Sequence, residues 1–113
     1  MNNVSLSVTG NYMVSCDLTD GNVPMGELRI KSVKLEPMKE TRKLVVRFVE
    51  TNKGLVLNET NKVYLRNVFG RDPNKWIGRS VWLYLAEIKT LAGEQVKGIR
   101  VTSERLAMRM LVG

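Results

Sequence analysis

At 113 residues, 43% apolar and 26% charged, the chain has the size and composition of one globular domain, with room for a single hydrophobic core and not for two. Eighteen Lys and Arg oppose eleven Asp and Glu, so the net charge is +7. With no histidine and one cysteine, Cys16, the sequence excludes an internal disulfide, a Cys-rich zinc site and any catalysis that relies on an imidazole.

The positive charge is not a tail. Residues 1–26 carry −2, 27–57 carry +4, 58–94 carry +2 and 95–113 carry +3. A basic fold attracts polyanions, because phosphates shed counterions when Lys and Arg replace them. The competing reading is solubility alone. Met1-Asn2-Asn3-Val4-Ser5 lacks the charged and apolar regions of a secretory leader. No apolar run approaches the roughly 20 residues of a membrane span, so a cytoplasmic protein with no membrane partner is expected.

In chain order, the acidic first 26 residues read as an N-terminal extension or an extra strand. Val4, Leu6 and Val8 alternate as in a short strand, and Tyr12, Met13, Val14 and Leu18 form an apolar cluster of open conformation. Residues 27–36 read as a long first strand. Leu28 and Ile30 share one face while Val33 and Leu35 have the opposite parity, which predicts a bulge near Lys31-Ser32. Pro37 to Lys43 reads as a charged connection. Residues 44–50 form a second strand, Asn52-Lys53-Gly54 a tight turn, and Leu55-Val56-Leu57 the start of a third.

Asn58 or Asn61 then caps a helix in which Val63, Leu65 and Val68-Phe69 recur at helical spacing, with Gly70 at its end. Trp76 reads as a plug beneath that helix. Residues 79–89 form a fourth strand with Val81, Leu83 and Leu85 on one face and Trp82 and Tyr84 on the other. Ala92-Gly93-Glu94 turns into a fifth strand over 95–102, and Ser103 starts a short helix or tail through 113. Three strands, a helix and two more strands, with the first strand bent, is the order of an OB-fold. The expected fold is mainly β: an OB-fold-like five-stranded Greek-key barrel with a helix between strands 3 and 4 and a short C-terminal helix. The barrel spans 27–102 of a single domain, 1–113.

Lys53-Gly54-Leu55-Val56-Leu57-Asn58, Thr60-Asn61, Phe69-Gly70, Trp76-Ile77-Gly78-Arg79, Leu83-Tyr84 and Gly98-Ile99-Arg100-Val101 follow one another with a spacing that resembles a group of small phage and prophage proteins. Their role is taken to lie in phage DNA metabolism. The resemblance covers roughly residues 27–102. It implies a phage origin, an OB-like domain and binding of single-stranded DNA, and it supplies no catalytic residues. Cellular single-strand-binding proteins end in an acidic tail that recruits partners. This chain ends Met110-Leu111-Val112-Gly113, so recruitment by that route is not expected.

Single-strand binders need cations along the backbone and flat side chains on which bases stack. The OB surface lies on strands two and three with the loops between strands one and two and between four and five. That mapping selects Arg29, Lys31 and Lys34 on the bent strand; Lys39, Arg42 and Lys43 in the first loop; Arg47 on strand two; Lys53 in the next turn; and Lys89 and Lys97 beside the last turn. Each of these is equally read as a solvated surface charge. Trp82 and Tyr84 are the aromatic candidates. Alternatively, the C-terminal helix, through Leu106 and Met110, or the N-terminal segment covers them. Arg100 either faces a nucleic-acid groove or pairs with Glu50 or Glu87.

Enzyme readings fail for want of a constellation. Asp17 with Asp20, or Glu36 with Glu40, lie in expected loops with no partner base or metal-ligand spacing, and no glycine-rich phosphate loop precedes a helix. No cofactor and no metal are expected. The leading expectation is a non-catalytic phage protein that binds single-stranded DNA, or RNA, during replication or recombination in the infected bacterial cell. A homo-oligomer and phage or host replication and recombination proteins are further partners it admits. The alternative is a protein-interaction module of phage origin, either a host-factor inhibitor or a virion or assembly component.

Overall fold

The computed structural model describes residues 12–24 and 26–104, and the expected strand at Val4–Val8 and helix after Ser103 lie outside them. A short helix α1 (Ser15–Thr19) precedes strands β1 (Leu28–Met38), β2 (Thr41–Phe48) and β3 (Leu55–Val56). Helix α2 (Glu59–Phe69) and a 3₁₀ turn (Pro73–Trp76) lead into β4 (Ser80–Lys89) and β5 (Gln95–Thr102). The strands form one antiparallel sheet in the order β3-β2-β1-β4-β5. The chain is thus mainly β. Among the described residues no ladder joins β3 to β5, so the sheet is open rather than closed into the expected barrel.

The bulge is where the parity switch placed it. Ile30 pairs with Phe48 and Ser32 with Arg47, so Lys31 is the extra residue, and Val33 returns to the core side opposite Val46. The core is built from Leu28, Ile30, Val46, Phe48, Val81, Leu83 and Val101 of the sheet, closed by Leu57, Leu65 and Trp76 and by Met13, Leu18 and Val23 of the N-terminal segment. Full burial of a side chain such as Leu28 or Ile30 contributes about 1.5–3 kcal/mol.

The connection expected from Pro37 to Lys43 is a correction. β1 runs on to Met38, and the turn is Lys39-Glu40 alone, with Arg42 and Lys43 already on β2. Pro37 is tolerated because Leu44 directs its carbonyl to the Leu57 N–H on the β3 side (2.9 Å). Leu35–Leu44 is therefore a non-hydrogen-bonded pair, and Pro37–Arg42, two residues on, is another. The missing N–H of Pro37 would point to the open side of β1, so no ladder bond is lost.

Helix α2 starts where Asn58 Oδ1 accepts the Asn61 N–H (2.9 Å) and ends at Gly70, whose φ of 109° lies in the region glycine favours. Trp76 is fully buried and donates its indole N–H to the Gly70 carbonyl (2.7 Å), which fastens the 3₁₀ turn under the helix. Two side chains tie α2 to β5. The buried Asn61 donates from Nδ2 to the Ile99 carbonyl (2.9 Å) and accepts the Val101 N–H at Oδ1 (3.2 Å). One turn later, the Tyr64 hydroxyl accepts the Ser103 N–H (2.8 Å). The free edge of β3 is met by the N-terminal segment, where Tyr12 bridges Gly54 and Met13 N–H reaches the Gly54 carbonyl (2.9 Å). No described helix is long and apolar enough to cross a membrane.

Candidate nucleic-acid interface

The pairs Ser32–Arg47, Lys34–Val45 and Glu36–Lys43 put Lys34, Glu36, Lys43 and Arg47 on the face of the β1–β2 hairpin turned away from the core. Arg47 is held there. Its Nη2 lies 3.0 and 3.2 Å from the two Glu36 oxygens, and its guanidinium stacks over the Tyr12 ring at 5.2 Å. The Tyr12 hydroxyl donates to Glu36 Oε1 at 2.6 Å. That bond and the Arg47 charge keep the Glu36 carboxyl below its ordinary value.

Lys53 is held similarly, 3.3 Å from Asp17. Burial alone would raise the Asp17 carboxyl. The Val14 N–H (2.8 Å), the Asn22 amide (3.1 Å) and Lys53 outweigh that effect and leave it below its ordinary value. Arg47 and Lys53 therefore anchor the N-terminal segment to β2 and to the β2–β3 turn.

Lys31, Lys34, Lys39, Arg42 and Lys43 are different. All are exposed, and none forms an ion pair among the described residues. Lys39 occupies the hairpin turn at φ 48°. The Arg29 side chain is exposed at the base of the same hairpin, and its backbone N–H donates to Glu50 (2.8 Å). Lys89 and Lys97 lie apart from this group, on the β4–β5 hairpin, where Lys97 faces Glu87 across the ladder.

Trp82 and Tyr84 lie opposite Thr102 and Arg100 on the face away from Leu83 and Leu85, and both rings are half-buried. Residues 106 and 110, the expected cover, lie outside the described residues. The expected ion pair of Arg100 with Glu50 or Glu87 is not formed. Arg100 lies opposite Tyr84 instead, with Nη1 buried and without a hydrogen-bond partner among the described residues.

Two clefts escaped the sequence reading. One, about 260 Å³, opens between β3 and β5 and is lined by Met13, Val14, Leu55, Val56 and Lys97 to Ile99. The other, about 350 Å³, lies between the β1–β2 hairpin and the start of α2. Its signal was available in part: Leu35 shares the parity of core-facing Val33 yet lies too far along the hairpin to be covered. Among the described residues no three of His, Cys, Asp and Glu gather as metal ligands. Comparison of the chain with known protein families, with curated proteins and with solved structures found no match.

Proposed function

We propose that this chain is a single-stranded-DNA-binding protein of a bacteriophage, acting without catalysis in DNA replication or recombination in the infected cell. The observation that carries the reading is the set of exposed cations on one hairpin, Lys31, Lys34, Lys39, Arg42 and Lys43, that form no ion pair among the described residues. Cations outside an ion pair can meet a phosphate without giving up a bonded carboxylate, whereas Arg47 and Lys53 would have to exchange one for it. The strand order, with the bulged β1 at its centre and α2 between β3 and β4, is that of an OB-fold. Closure of β3 toward β5 is the finer reading that goes with it. Trp82 and Tyr84 supply flat surfaces for bases, and RNA is the other nucleic acid such a surface admits.

The test is a titration of labelled oligo-dT and of matched duplex DNA, followed by anisotropy at low and moderate salt. Single-strand binding at micromolar or tighter affinity that weakens steeply with salt is the expected result. Absence of single-strand binding at low salt overturns the reading.

One observation favours a second reading, a protein-interaction module. Leu91, at the tip of the β4–β5 hairpin, is 109% exposed, and β5 is a sheet edge that Asn61 occupies at Ile99 and Val101, leaving the part nearer the hairpin tip for another strand to add to. Capture of a partner by the protein without DNA would select it.

A further inference from the structure

The larger cleft is walled by two different chemistries. Leu35, Leu44 and Leu57 form its apolar side, and Arg42, Lys43 and Lys62 stand around it together with Asn58 and the carboxylate of Glu59. Leu57 is buried in the core and Leu44 half-buried, while Leu35 is 58% exposed. The cleft is therefore a place where the hydrophobic core opens to solvent. Lys62 is paired with Glu59 at 3.2 Å, whereas Arg42 and Lys43 form no ion pair among the described residues. Its volume, about 350 Å³, falls at the lower end of small-ligand sites, about 300–1,000 Å³.

An exposed leucine beside two unpaired cations suits a ligand with one flat apolar part and one anionic part. A neutral apolar peptide would leave the cations unused, and a simple anion would leave the leucines exposed.

We propose that this cleft seats one nucleotide of a single strand, the base lying on Leu35, Leu44 and Leu57 and the adjoining phosphate held by Arg42 and Lys43. The proposal rests on the single-strand-binding reading and adds to it a base-holding site without an aromatic ring. Leu35 and Arg42 lie on the opposite face of the hairpin from Lys34 and Arg47, so a bound strand rounds the hairpin edge rather than running along one face. Lys43 faces the other way and reaches the phosphate from that edge.

The test compares Leu35→Glu with Val68→Glu, an equal change of charge at an exposed position of α2 outside every candidate site. Oligo-dT binding is measured for both, and thymidine 5′-monophosphate is titrated into the unaltered protein while backbone amide shifts are followed by NMR. Leu35→Glu is expected to weaken oligo-dT binding about tenfold while Val68→Glu stays within about twofold of the unaltered protein. The mononucleotide is expected to shift the amides of Leu35, Leu44, Leu57 and Asn58. If oligo-dT binds and the two variants weaken it equally, with no such shifts, the nucleotide seat is overturned and the single-strand reading stands. If oligo-dT does not bind but the mononucleotide shifts these amides, the cleft takes a free nucleotide and no strand, and the seat as proposed falls with the single-strand reading. If neither occurs, both fall.

Discussion

The carboxamide of Asn61 is hydrogen-bonded to the edge of β5 as another strand would be, giving its N–H to Ile99 and taking the N–H of Val101. A helix residue thereby satisfies two backbone groups at the open edge of the sheet. Replacing it with alanine leaves both in a largely buried place, at a cost of about 1–3 kcal/mol for each group left unpaired. Asn61→Ala is expected to lower the urea midpoint accordingly, and Asn61→Asp to fall between the two proteins at acid pH, where the protonated carboxyl has an O–H donor and an acceptor, and near the alanine variant at neutral pH, where the carboxylate only accepts.

Gly54 and Gly98 are both crowded, but by different neighbours. A methyl group at Gly54 would lie 2.7 Å from Val45 Cγ1 and 3.1 Å from the Arg47 guanidinium carbon, and Val45 is fully buried. A methyl group at Gly98 would meet only the tip of Ile88, a half-buried and movable side chain. Gly54→Ala is therefore expected to destabilise by about 1–3 kcal/mol and Gly98→Ala by less. Equal losses in chemical denaturation would contradict this account.

Glu36 and Asp17 both hold their protons less tightly in the folded chain than their ordinary values of 4.5 and 3.8. The unfolded chain binds protons more readily, so the stability they contribute is complete above those values and is lost as the pH falls through the lower folded ones. The urea midpoint should drop between about pH 5 and about pH 3, and Glu36→Gln should flatten that drop while lowering stability at neutral pH. A profile unchanged in Glu36→Gln would exclude the Tyr12–Glu36–Arg47 cluster as its source.

Of the two tryptophans, Trp76 is buried and Trp82 half-exposed. Binding of oligo-dT should quench Trp82 emission and leave that of Trp76, which the Trp82→Ala variant would show directly. That variant is expected to lose about 1–3 kcal/mol of binding, the worth of one stacked base. Lys34→Glu, in contrast, should weaken binding to all single strands alike and reduce the salt slope by about one unit.

The elements that sequence made legible are those whose signals are local. β5 spans the residues its pattern marked, Asn58 and Gly70 cap α2 as their types predict, and the parity switch located the bulge. The turn after β1 was missed because Lys39 adopts a left-handed conformation that glycine or asparagine usually announces. The state of the basic residues was not legible at all. Nothing in the spacing of Asp17, Glu36, Arg47 and Lys53 says that two carboxylates meet two of the cations, since those contacts depend on where the N-terminal segment lies. The open sheet has the same origin. Asn61 and Met13 bond to the backbone of β5 and of the β2–β3 turn through tertiary contacts that no periodicity records.

The ladder between β1 and β4 pairs Leu28–Val81 and Arg29–Ser80 and is prolonged by Ile30, which bonds to the Arg79 carbonyl and the Gly78 N–H, while each strand extends well beyond it into its own hairpin. The molecule is thus built as a pair of levers sharing a short fulcrum. At about 3.3 Å per residue, an arm of eight residues is roughly 26 Å long, so a change in twist of about 5° at the fulcrum displaces its tip by about 2 Å. Lys39 and Leu91 sit at those two tips, where a small rotation is magnified most.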